Sequence, residues 1–527
     1  MSETEATAPL EARPRRRMAV STALFAIATG LSRVAGVLRE IVAAAFFGVQ
    51  GSISAFTVAF QVPNLVRALV ADAALGAAFV PVFNDLLERG DRERAWRVAS
   101  SVFWLSFVGL SAVTVVFELL APNVMGLFGY HDALAIGLAR VMFPTLVLFG
   151  LSGVVNSMLN AFDEFFVPAL APVAWNVVIV AVLIGAAPFW HSIDDRLYAY
   201  AIGILAGTAV QFALPLPLLR GRGGRISLSL DTADPLVRRV FVLMLPVSLG
   251  LGLINVNLLV DTWFATRVNA DLAPAAIDKA FRIYMLPQGM FSVAVATVAF
   301  PALSRAASVR DGRAYRHTLT TALRQIAFLL VPASVAISVL SQPMVRLVFQ
   351  HGRFDTAQTH VVAQALAAFS LGLTFNGAML MLNRAFFSLQ MPWGPTRVAV
   401  ATLIANVVLD ALFYRPFGVW GIPFATSFVN IVGTFLLARS LKPIVGPFIT
   451  PRFRRAMIVI SLSSIVLAGV SYGVWYGLDV LLGRTLPAQL VSLLLALALG
   501  GLAYLWTAKR LGLDELRALA RMRRSGS

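Results

Sequence analysis

Residues 165–188 read FFVPALAPVAWNVVIVAVLIGAAP, a stretch without a charged side chain. A helix needs roughly 20 apolar residues to cross the hydrocarbon core of a bilayer, so this stretch predicts a membrane-spanning helix. The whole chain has the same bias: of its 527 residues, 58% are hydrophobic and 13% charged. Soluble domains average about 45–50% apolar and about 25% charged residues. Lipid is therefore the expected solvent for most of the surface.

Apolar runs separated by polar or Pro/Gly-containing breaks predict about fourteen such spans. They lie near residues 19–47, 52–86, 98–121, 133–158, 165–188, 197–219, 237–265, 274–304, 317–340, 358–387, 394–413, 418–438, 456–476 and 486–507. The first, second, eighth and tenth are long and contain charges or proline, which favours bent helices that line a path over simple anchors. We predict an all-α polytopic membrane protein.

The basic residues predict the orientation of these spans. If the N-terminus is cytoplasmic, 30 of the 43 Lys and Arg fall in cytoplasmic segments and six on the opposite side. Basic residues favour the cytoplasmic side, so both termini are expected there. The net charge of +17 is then mostly a topology signal and does not indicate nucleic acid. The basic N-terminus followed by an apolar run imitates a secretory signal, but the run continues past Arg33 and Arg39, which indicates a retained first span.

An internal repeat divides the predicted spans into two halves. Ala78-Phe79-Val80-Pro81 recurs as Ala299-Phe300-Pro301, and the prolines are 220 residues apart. Two further landmark pairs follow in the same order at offsets of 221 and 224 residues. The offset equals six spans, so the halves share their orientation, as in transporters built from parallel repeats. The predicted domains are a basic N-terminus 1–18, an N-lobe 19–219, a linker 220–236, a C-lobe 237–440, spans thirteen and fourteen in 441–508, and a basic tail 509–527.

Seven basic residues fall within the spans: Arg33, Arg39, Arg67, Arg140, Lys279, Arg282 and Arg384. An Arg at mid-bilayer costs about 2.5–3.5 kcal/mol on insertion scales. Arg140, Lys279 and Arg384 lie near span ends and are expected to extend toward the membrane surface. The other four lie deeper and predict a cationic pocket at the interface of the lobes. Guanidinium groups bind phosphate bidentately, so the expected ligand is anionic and diphosphate-bearing; structural pairing inside the membrane is the alternative.

A second group of polar residues is acidic. Asp410 follows Asn406 by four positions, which places both on one helix face, while Asp261 and Thr426 lie in spans seven and twelve. Their oxygens are ligands for a hard cation such as Na⁺. A hydrogen-bonded helix contact, or a salt bridge to a nearby Arg, explains the same spacing. The chain has no Cys, and its five His lack ligand spacing, so no thiolate or histidine metal site is expected.

The first two spans resemble those of the MurJ/MviN family of lipid II flippases, within the multidrug/oligosaccharidyl-lipid/polysaccharide exporter superfamily. The matching segments are 32–40 (SRVAGVLRE), 55–67 (AFTVAFQVPNLVR) and 78–81 (AFVP). Further matches are 282–287 (RIYMLP) and 350–355 (QHGRFD). The resemblance extends over nearly the whole chain.

This resemblance implies two six-helix lobes around a cationic cavity, with spans thirteen and fourteen forming a groove for a lipid tail. It implies cavity residues at Arg33, Arg39, Glu40, Asn64, Arg67, Asn176 and Arg282. The family's Na⁺ site would fall on Asp261, Asn406, Asp410 and Thr426, with a backbone carbonyl near Ile422. The family often has Asp at position 54 and sometimes a second Arg at position 68, where this chain has Ser54 and Ala68.

The implied function is translocation of the undecaprenyl-diphosphate-linked peptidoglycan precursor, lipid II, across the bacterial cytoplasmic (inner) membrane by alternating access, for cell-wall synthesis. The expected protein is a transporter without catalytic residues or a cofactor other than a coupling Na⁺. Its implied partners are lipid II, membrane lipids and cell-wall synthesis proteins, and not nucleic acid.

Three other functions are weighed against this one. A flippase for another polyprenyl-linked glycan of the O-antigen or capsule type would use similar headgroup chemistry. A cation-coupled drug exporter would favour an acidic cavity over four arginines. A membrane glycosyltransferase would need acids clustered at a membrane surface, and the adjacent pairs Asp163-Glu164 and Asp194-Asp195 are interpreted as loop charge.

Overall fold

The computed structural model describes residues 12–68 and 74–513, which are mostly helical and contain no strand. Its first nine helices are α1 Ala12–Phe47, α2 Ser52–Arg67, α3 Ala74–Glu88, α4 Arg92–Leu119, α5 Ala121–Leu127, α6 Ala133–Met142, α7 Thr145–Ala161, α8 Phe166–Ala186 and α9 Ile193–Ala213. The others are α10 Pro235–Asn269, α11 Ala273–Pro287, α12 Val293–Ser308, α13 Gly312–Phe349, α14 Thr356–Ser388, α15 Trp393–Phe417, α16 Gly421–Val445, α17 Pro451–Leu482 and α18 Leu486–Arg510.

Ten helical stretches among the described residues are long and apolar enough to cross a membrane. One of them, 393–445, consists of α15 and α16 with a short turn of 3₁₀ helix between them. The prediction of an all-helical, multi-pass membrane protein is therefore confirmed. The eighth predicted span is interrupted by a π-helical segment, Gln288–Ser292, between α11 and α12. It begins directly after Pro287, and proline disrupts the regular helical hydrogen-bond pattern.

The described residues divide into two compact units, the first made of those within 12–43 and 55–256 and the second of those within 44–54 and 257–513. In the first unit, α3, α4 and α7 meet in a core that contains Phe79, Phe83 and Trp96. The rings of Phe79 and Phe83 stack at 5.1 Å, and Trp96 meets Phe83 edge to face at 6.4 Å. Such aromatic pairs add specific geometry to the burial of apolar surface.

In the second unit, α17 and α18 pack against α13. The hydroxyl of Tyr504 donates to the carbonyl of Phe328 at 2.8 Å, and their rings lie 5.5 Å apart. The segment 44–54 belongs to this unit too: Gln358 Oε1 accepts from the Val49 amide at 2.9 Å, and the Asp271 carbonyl accepts from the Gly51 amide at 2.7 Å. The connection that follows α1 is therefore held by hydrogen bonds to the turn before α11 and to the first turn of α14.

The three basic residues near span ends differ in exposure. Arg140 and Arg384 are exposed, as expected for side chains that extend toward a surface. Lys279 is 5% exposed, and its ammonium group lies 5.8 Å from the ring centroid of Phe349. The prediction for Lys279 was wrong, because its side chain is buried inside the second unit and does not extend toward the membrane surface.

Candidate functional site

Arg39 and Glu40 lie side by side on α1 inside the first unit. Both are 5% exposed, and Arg39 Nη2 donates to Glu40 Oε1 at 2.5 Å. The Arg39 guanidinium carbon also lies 4.5 Å from the centroid of the Trp175 ring. Burying a guanidinium is costly without such compensation, and a carboxylate and an aromatic face both supply it.

Asn176 extends the same site from α8. It is 4% exposed, and its Nδ2 donates to the Pro172 carbonyl at 2.8 Å, back along its own helix. A side chain on Gly36 of α1 would begin 3.9 Å from Asn176 Oδ1, so the absence of a Cβ at Gly36 leaves room beside the amide. Among the described residues, neither Asn176 Oδ1 nor Arg39 Nε has a hydrogen-bond partner. The site therefore offers one buried acceptor and one buried donor to a ligand.

Arg67, at the end of α2, is oriented by two neighbours in the same unit. Its Nε and Nη2 both donate to Asn64 Oδ1, at 3.2 and 3.1 Å, and its guanidinium carbon lies 5.5 Å from the ring centroid of Phe149. Asn64 therefore holds the guanidinium by a fork of two hydrogen bonds without neutralising its charge. Arg33, one helical turn before Gly36, is exposed.

Arg282 lies on α11 in the second unit and is paired within its own helix. Its Nη2 lies 3.2 Å from Asp278 Oδ1, one turn earlier. The Arg282 side chain is 41% exposed and that of Asp278 is 19% exposed. The carboxylate partly compensates a guanidinium that remains accessible.

The predicted cation ligands come together in the second unit. Asn406 Nδ2 donates to Asp261 Oδ1 at 2.5 Å and to Asp410 Oδ2 at 2.9 Å. The Thr426 hydroxyl lies 3.2 Å both from Asp261 Oδ2 and from the Ile422 carbonyl. Asn406 and Asp410 are 0% exposed and Asp261 is 6% exposed. Helices α10, α15 and α16 thus contribute oxygen-bearing groups to one buried cluster.

This cluster fits a hard cation. In the described part of the chain, Asn406 Oδ1 and Asp410 Oδ1 are buried and accept no hydrogen bond, and no Lys or Arg there forms a salt bridge with Asp261 or Asp410. Unpaired acceptors beside two buried carboxylates are costly unless positive charge compensates them. Carboxylate, amide, hydroxyl and carbonyl oxygens are the donor set that hard cations prefer. No described Lys or Arg forms the salt bridge considered from the sequence.

The structure adds three residues that sequence reasoning missed. Trp175 adjoins Arg39, Asp278 pairs with Arg282, and Phe149 lies against Arg67. Only Asp278 had a local signal, because residues four apart meet on one helix face. Trp175 and Phe149 contact their arginines across large sequence separations, which no local pattern reveals.

Comparisons with known proteins identify the family. The family "Lipid II flippase MurJ" matches residues 43–497. A probable lipid II flippase MurJ from Rhizobium meliloti (strain 1021) is 32% identical over 78% of this chain and 78% of its own length. The lipid II flippase MurJ from Burkholderia cenocepacia is 28% identical over 89% of this chain and 92% of its own.

Solved structures show the same relationship. A lipid II flippase MurJ in an inward closed conformation superposes with a TM-score of 0.77 at 25% identity, covering 94% of this chain and 100% of that one. An inward-facing multidrug resistance MATE family transporter of the MOP superfamily shares the fold, with a TM-score of 0.68 at 18% identity. The chain belongs to the MurJ family of lipid II flippases.

Proposed function

We propose that this protein translocates lipid II, the polyprenyl-diphosphate-linked peptidoglycan precursor, from the inner to the outer leaflet of the cytoplasmic membrane by alternating access. The observation that carries the proposal is the Arg39 guanidinium, which lies buried in a membrane protein with an unpartnered Nε. Membership of the MurJ family supports the same function.

The proposed headgroup contacts are Arg33, Arg39, Arg67 and Arg282, each considered within its own unit. Guanidinium groups bind phosphate oxygens by paired hydrogen bonds, and Lys does not reproduce that geometry. Asn64 would hold Arg67 in position, Glu40 would compensate Arg39 when no headgroup is bound, and Asn176 would accept a hydrogen bond from the headgroup. The polyprenyl tail would remain in lipid.

A cation would couple to this cycle through Asp261, Asn406, Asp410, Thr426 and the Ile422 carbonyl. Bound there, Na⁺ would compensate the two carboxylates and bring α10, α15 and α16 together. The unpaired Oδ1 atoms of Asn406 and Asp410 support this role. Moving one charge across the membrane is worth about 2.3 kcal/mol per 100 mV, so an ion gradient can bias the conformational change.

The proposed architecture has fourteen spans. Two six-helix lobes, 19–219 and 237–440, would be related by an axis along the membrane normal, with a linker at 220–236. Spans thirteen and fourteen, within 441–508, would form the groove for the lipid tail. The segments 1–18 and 509–527 would lie in the cytoplasm. The repeat offsets of 220 to 224 residues and the distribution of basic residues support this arrangement.

The test is a flipping assay with purified protein in vesicles that contain fluorescent lipid II. Arg39→Ala, Arg67→Ala and Arg282→Ala are each expected to reduce the initial rate at least tenfold, which corresponds to about 1.4 kcal/mol per lost interaction. Arg140→Ala is the matched control, because it removes an exposed Arg from α6 that is not one of the proposed headgroup contacts. It should leave the rate unchanged.

Undiminished flipping in all three variants would overturn the assignment of these residues. Substrate identity is tested separately by expression in a strain depleted of its own lipid II flippase. Failure to restore growth, together with flipping of an O-antigen-type polyprenyl glycan in vesicles, would identify the other class of flippase.

A further inference from the structure

A cavity of about 390 Å³ lies within the first unit. Small-molecule sites commonly occupy about 300–1,000 Å³, so it is large enough to hold a chemical group of a headgroup. Arg67 and Phe149 line it, together with the amide side chains Asn156, Asn160 and Gln211. Arg39 and Glu40 do not line it. The cavity therefore adjoins the Arg67 part of the proposed headgroup site and extends beyond it.

One face of α7 supplies much of this lining. Residues 149, 152, 153, 156, 157 and 160 all line the cavity, and their spacing of three and one is the spacing of a single helix face. That face carries two Asn and two Ser, and the other polar residue of the helix is Thr145 at its first position. Amide side chains facing lipid would be costly, whereas polar residues of membrane helices commonly line water-filled cavities or substrate paths.

Helices α8 and α9 supply another part of the lining. From α8, Pro168, Ala169 and Pro172 line the cavity with small or compact side chains, and Gln211 reaches it from α9. Since α7 and α9 end where α8 begins, Asn160, Pro168 and Gln211 lie toward the same end of the unit. In the proposed topology this is the cytoplasmic end, from which the headgroup is captured.

The chemistry of the lining is neutral and hydrogen-bonding. Arg67 is the one charged residue among the described residues that line the cavity. Asn156 Oδ1 is buried and accepts no hydrogen bond from any described residue. A primary amide presents two donors and one acceptor oxygen, which match another amide or a pair of hydroxyls better than they match a phosphate dianion.

We propose that this cavity binds the uncharged, amide- and hydroxyl-bearing part of the lipid headgroup, with Asn156, Asn160 and Gln211 as its specificity determinants. The inference rests on the proposed function and deepens it. Arg67 would bind the diphosphate at the edge of the cavity, while the three amides would bind the group beyond it. A site built to hydrogen-bond a substrate discriminates strongly against an analogue that lacks the partner groups.

Two parts of the peptidoglycan precursor carry this chemistry, the acetamido sugars and the backbone amides of the peptide. Three polyprenyl lipids separate them: undecaprenyl diphosphate, undecaprenyl-diphosphoryl-N-acetylglucosamine, and lipid II. Native mass spectrometry of the full-length protein would measure the affinity for each. If the sugar next to the diphosphate is the ligand, the wild-type affinity rises at the monosaccharide lipid; if the peptide or the second sugar is the ligand, it rises only at lipid II.

The decisive variant is Asn156→Leu/Asn160→Leu, which keeps the branching and the number of side-chain heavy atoms and removes both amides. The preference is the ratio of the affinity for the glycan-bearing lipid to the affinity for undecaprenyl diphosphate. We expect this ratio to fall about tenfold, because the variant removes hydrogen bonds worth about 1.4 kcal/mol. Asn123→Leu, at an exposed position of α5, is the control. Gln211→Met removes an amide that α9 contributes to the cavity. It replaces the double variant in the test if that variant does not fold.

Three results are distinguishable. An unchanged preference in both the double variant and Gln211→Met would overturn the inference while leaving the flippase assignment intact. Wild-type protein that binds lipid II no better than phosphatidylglycerol would overturn the proposed function itself. Arg67→Ala is expected to lower the affinity for all three polyprenyl lipids by a similar factor, because each of them carries the diphosphate.

Discussion

Arg39 shows at the residue scale what the sequence predicts about this site and what it does not. Its place among apolar residues indicates a guanidinium deep in a membrane helix, and the adjacent Glu40 suggests a partner. The structure adds Trp175, whose ring faces the guanidinium at 4.5 Å from another helix. Because that contact depends on how α1 and α8 pack together, the local sequence around Arg39 contains no sign of it.

The acidic cluster was more predictable, although its chemistry was left open. The spacing of Asn406 and Asp410 places them on one face of α15, but Asp261 lies 145 residues before Asn406 and joins them only through folding. The sequence could not decide between a cation site and a hydrogen-bonded helix contact. The unpaired oxygens of Asn406 and Asp410 favour the cation site, because a finished hydrogen-bonded contact would leave no buried acceptor without a donor.

At this scale the prediction concerns Asp410→Asn. Sodium bound to the folded protein should raise its melting temperature, and ligand at a hundred times its dissociation constant contributes about 2.7 kcal/mol. We expect wild-type protein to melt higher in sodium than in choline chloride at equal ionic strength. Asp410→Asn should abolish that difference, because it removes one of the two anionic ligands.

The measurement is thermal unfolding in detergent with the two salts. Asp85→Asn is the control, since Asp85 belongs to an exposed i,i+4 pair with Arg89 and should keep the sodium dependence. A sodium-induced shift of equal size in Asp410→Asn would show that the ion acts elsewhere.

At the scale of elements, helix existence was predictable and helix shape was less so. Apolar runs predicted the helices because lipid requires every backbone polar group to be bonded within its own segment. The eighth span was expected to be irregular because it is long and contains charges and proline, and its π-helical segment follows Pro287, which removes a donor and clashes with the preceding turn. A second break, at Leu340 in α13, has non-helical backbone angles and precedes Pro343 by three residues. The predicted span ended at that break, whereas helix α13 continues beyond it to Phe349.

An ion pair joins α13 to α17 beyond this break. Arg346 and Asp479 are both 8% exposed and directly paired, and Arg346 Nε also donates to Gln489 Oε1 at 3.3 Å. Arg484 Nε approaches the other carboxylate oxygen of Asp479 at 3.1 Å from a largely exposed position. Asp479 therefore compensates a buried guanidinium where the last two helices meet α13.

We predict that Asp479→Leu lowers the free energy of unfolding by about 3 kcal/mol, because it leaves the buried Arg346 charge uncompensated. The double variant Arg346→Met/Asp479→Leu should recover most of this loss, since apolar replacement of both partners of a buried pair is commonly neutral or stabilising. Urea or thermal unfolding of detergent-solubilised protein measures both values. If the double variant is as unstable as the single one, packing at Asp479, and not charge, holds the helices together.

At the scale of the whole molecule, composition and charge distribution carried most of the prediction. A multi-pass helical membrane protein follows from the apolar content alone, and the family is shown independently by a match over residues 43–497. The boundaries of the two compact units are harder to predict from the sequence. The first unit ends at Val256, inside helix α10, and residues 44–54 group with the second. Those boundaries depend on tertiary packing, which neither hydropathy nor the internal repeat specifies.

The last prediction tests the orientation of the whole chain, which rests on the excess of basic residues on one side. The natural sequence has no cysteine, so single-cysteine variants can be labelled without background. We expect His191→Cys and Asn123→Cys, in predicted outer segments, to react with a membrane-impermeant maleimide in intact cells. Leu228→Cys and Val309→Cys, in predicted cytoplasmic segments, should react only after permeabilisation.

All four positions are exposed in the structure, so a lack of reaction in intact cells would reflect the membrane barrier and not burial in the protein. Growth of a flippase-depleted strain would confirm that each variant folds and functions. Labelling of Leu228→Cys or Val309→Cys in intact cells would contradict the topology. In that case Asn160 and Gln211 would lie toward the outer surface, and the cavity that they line would meet the headgroup at release and not at capture.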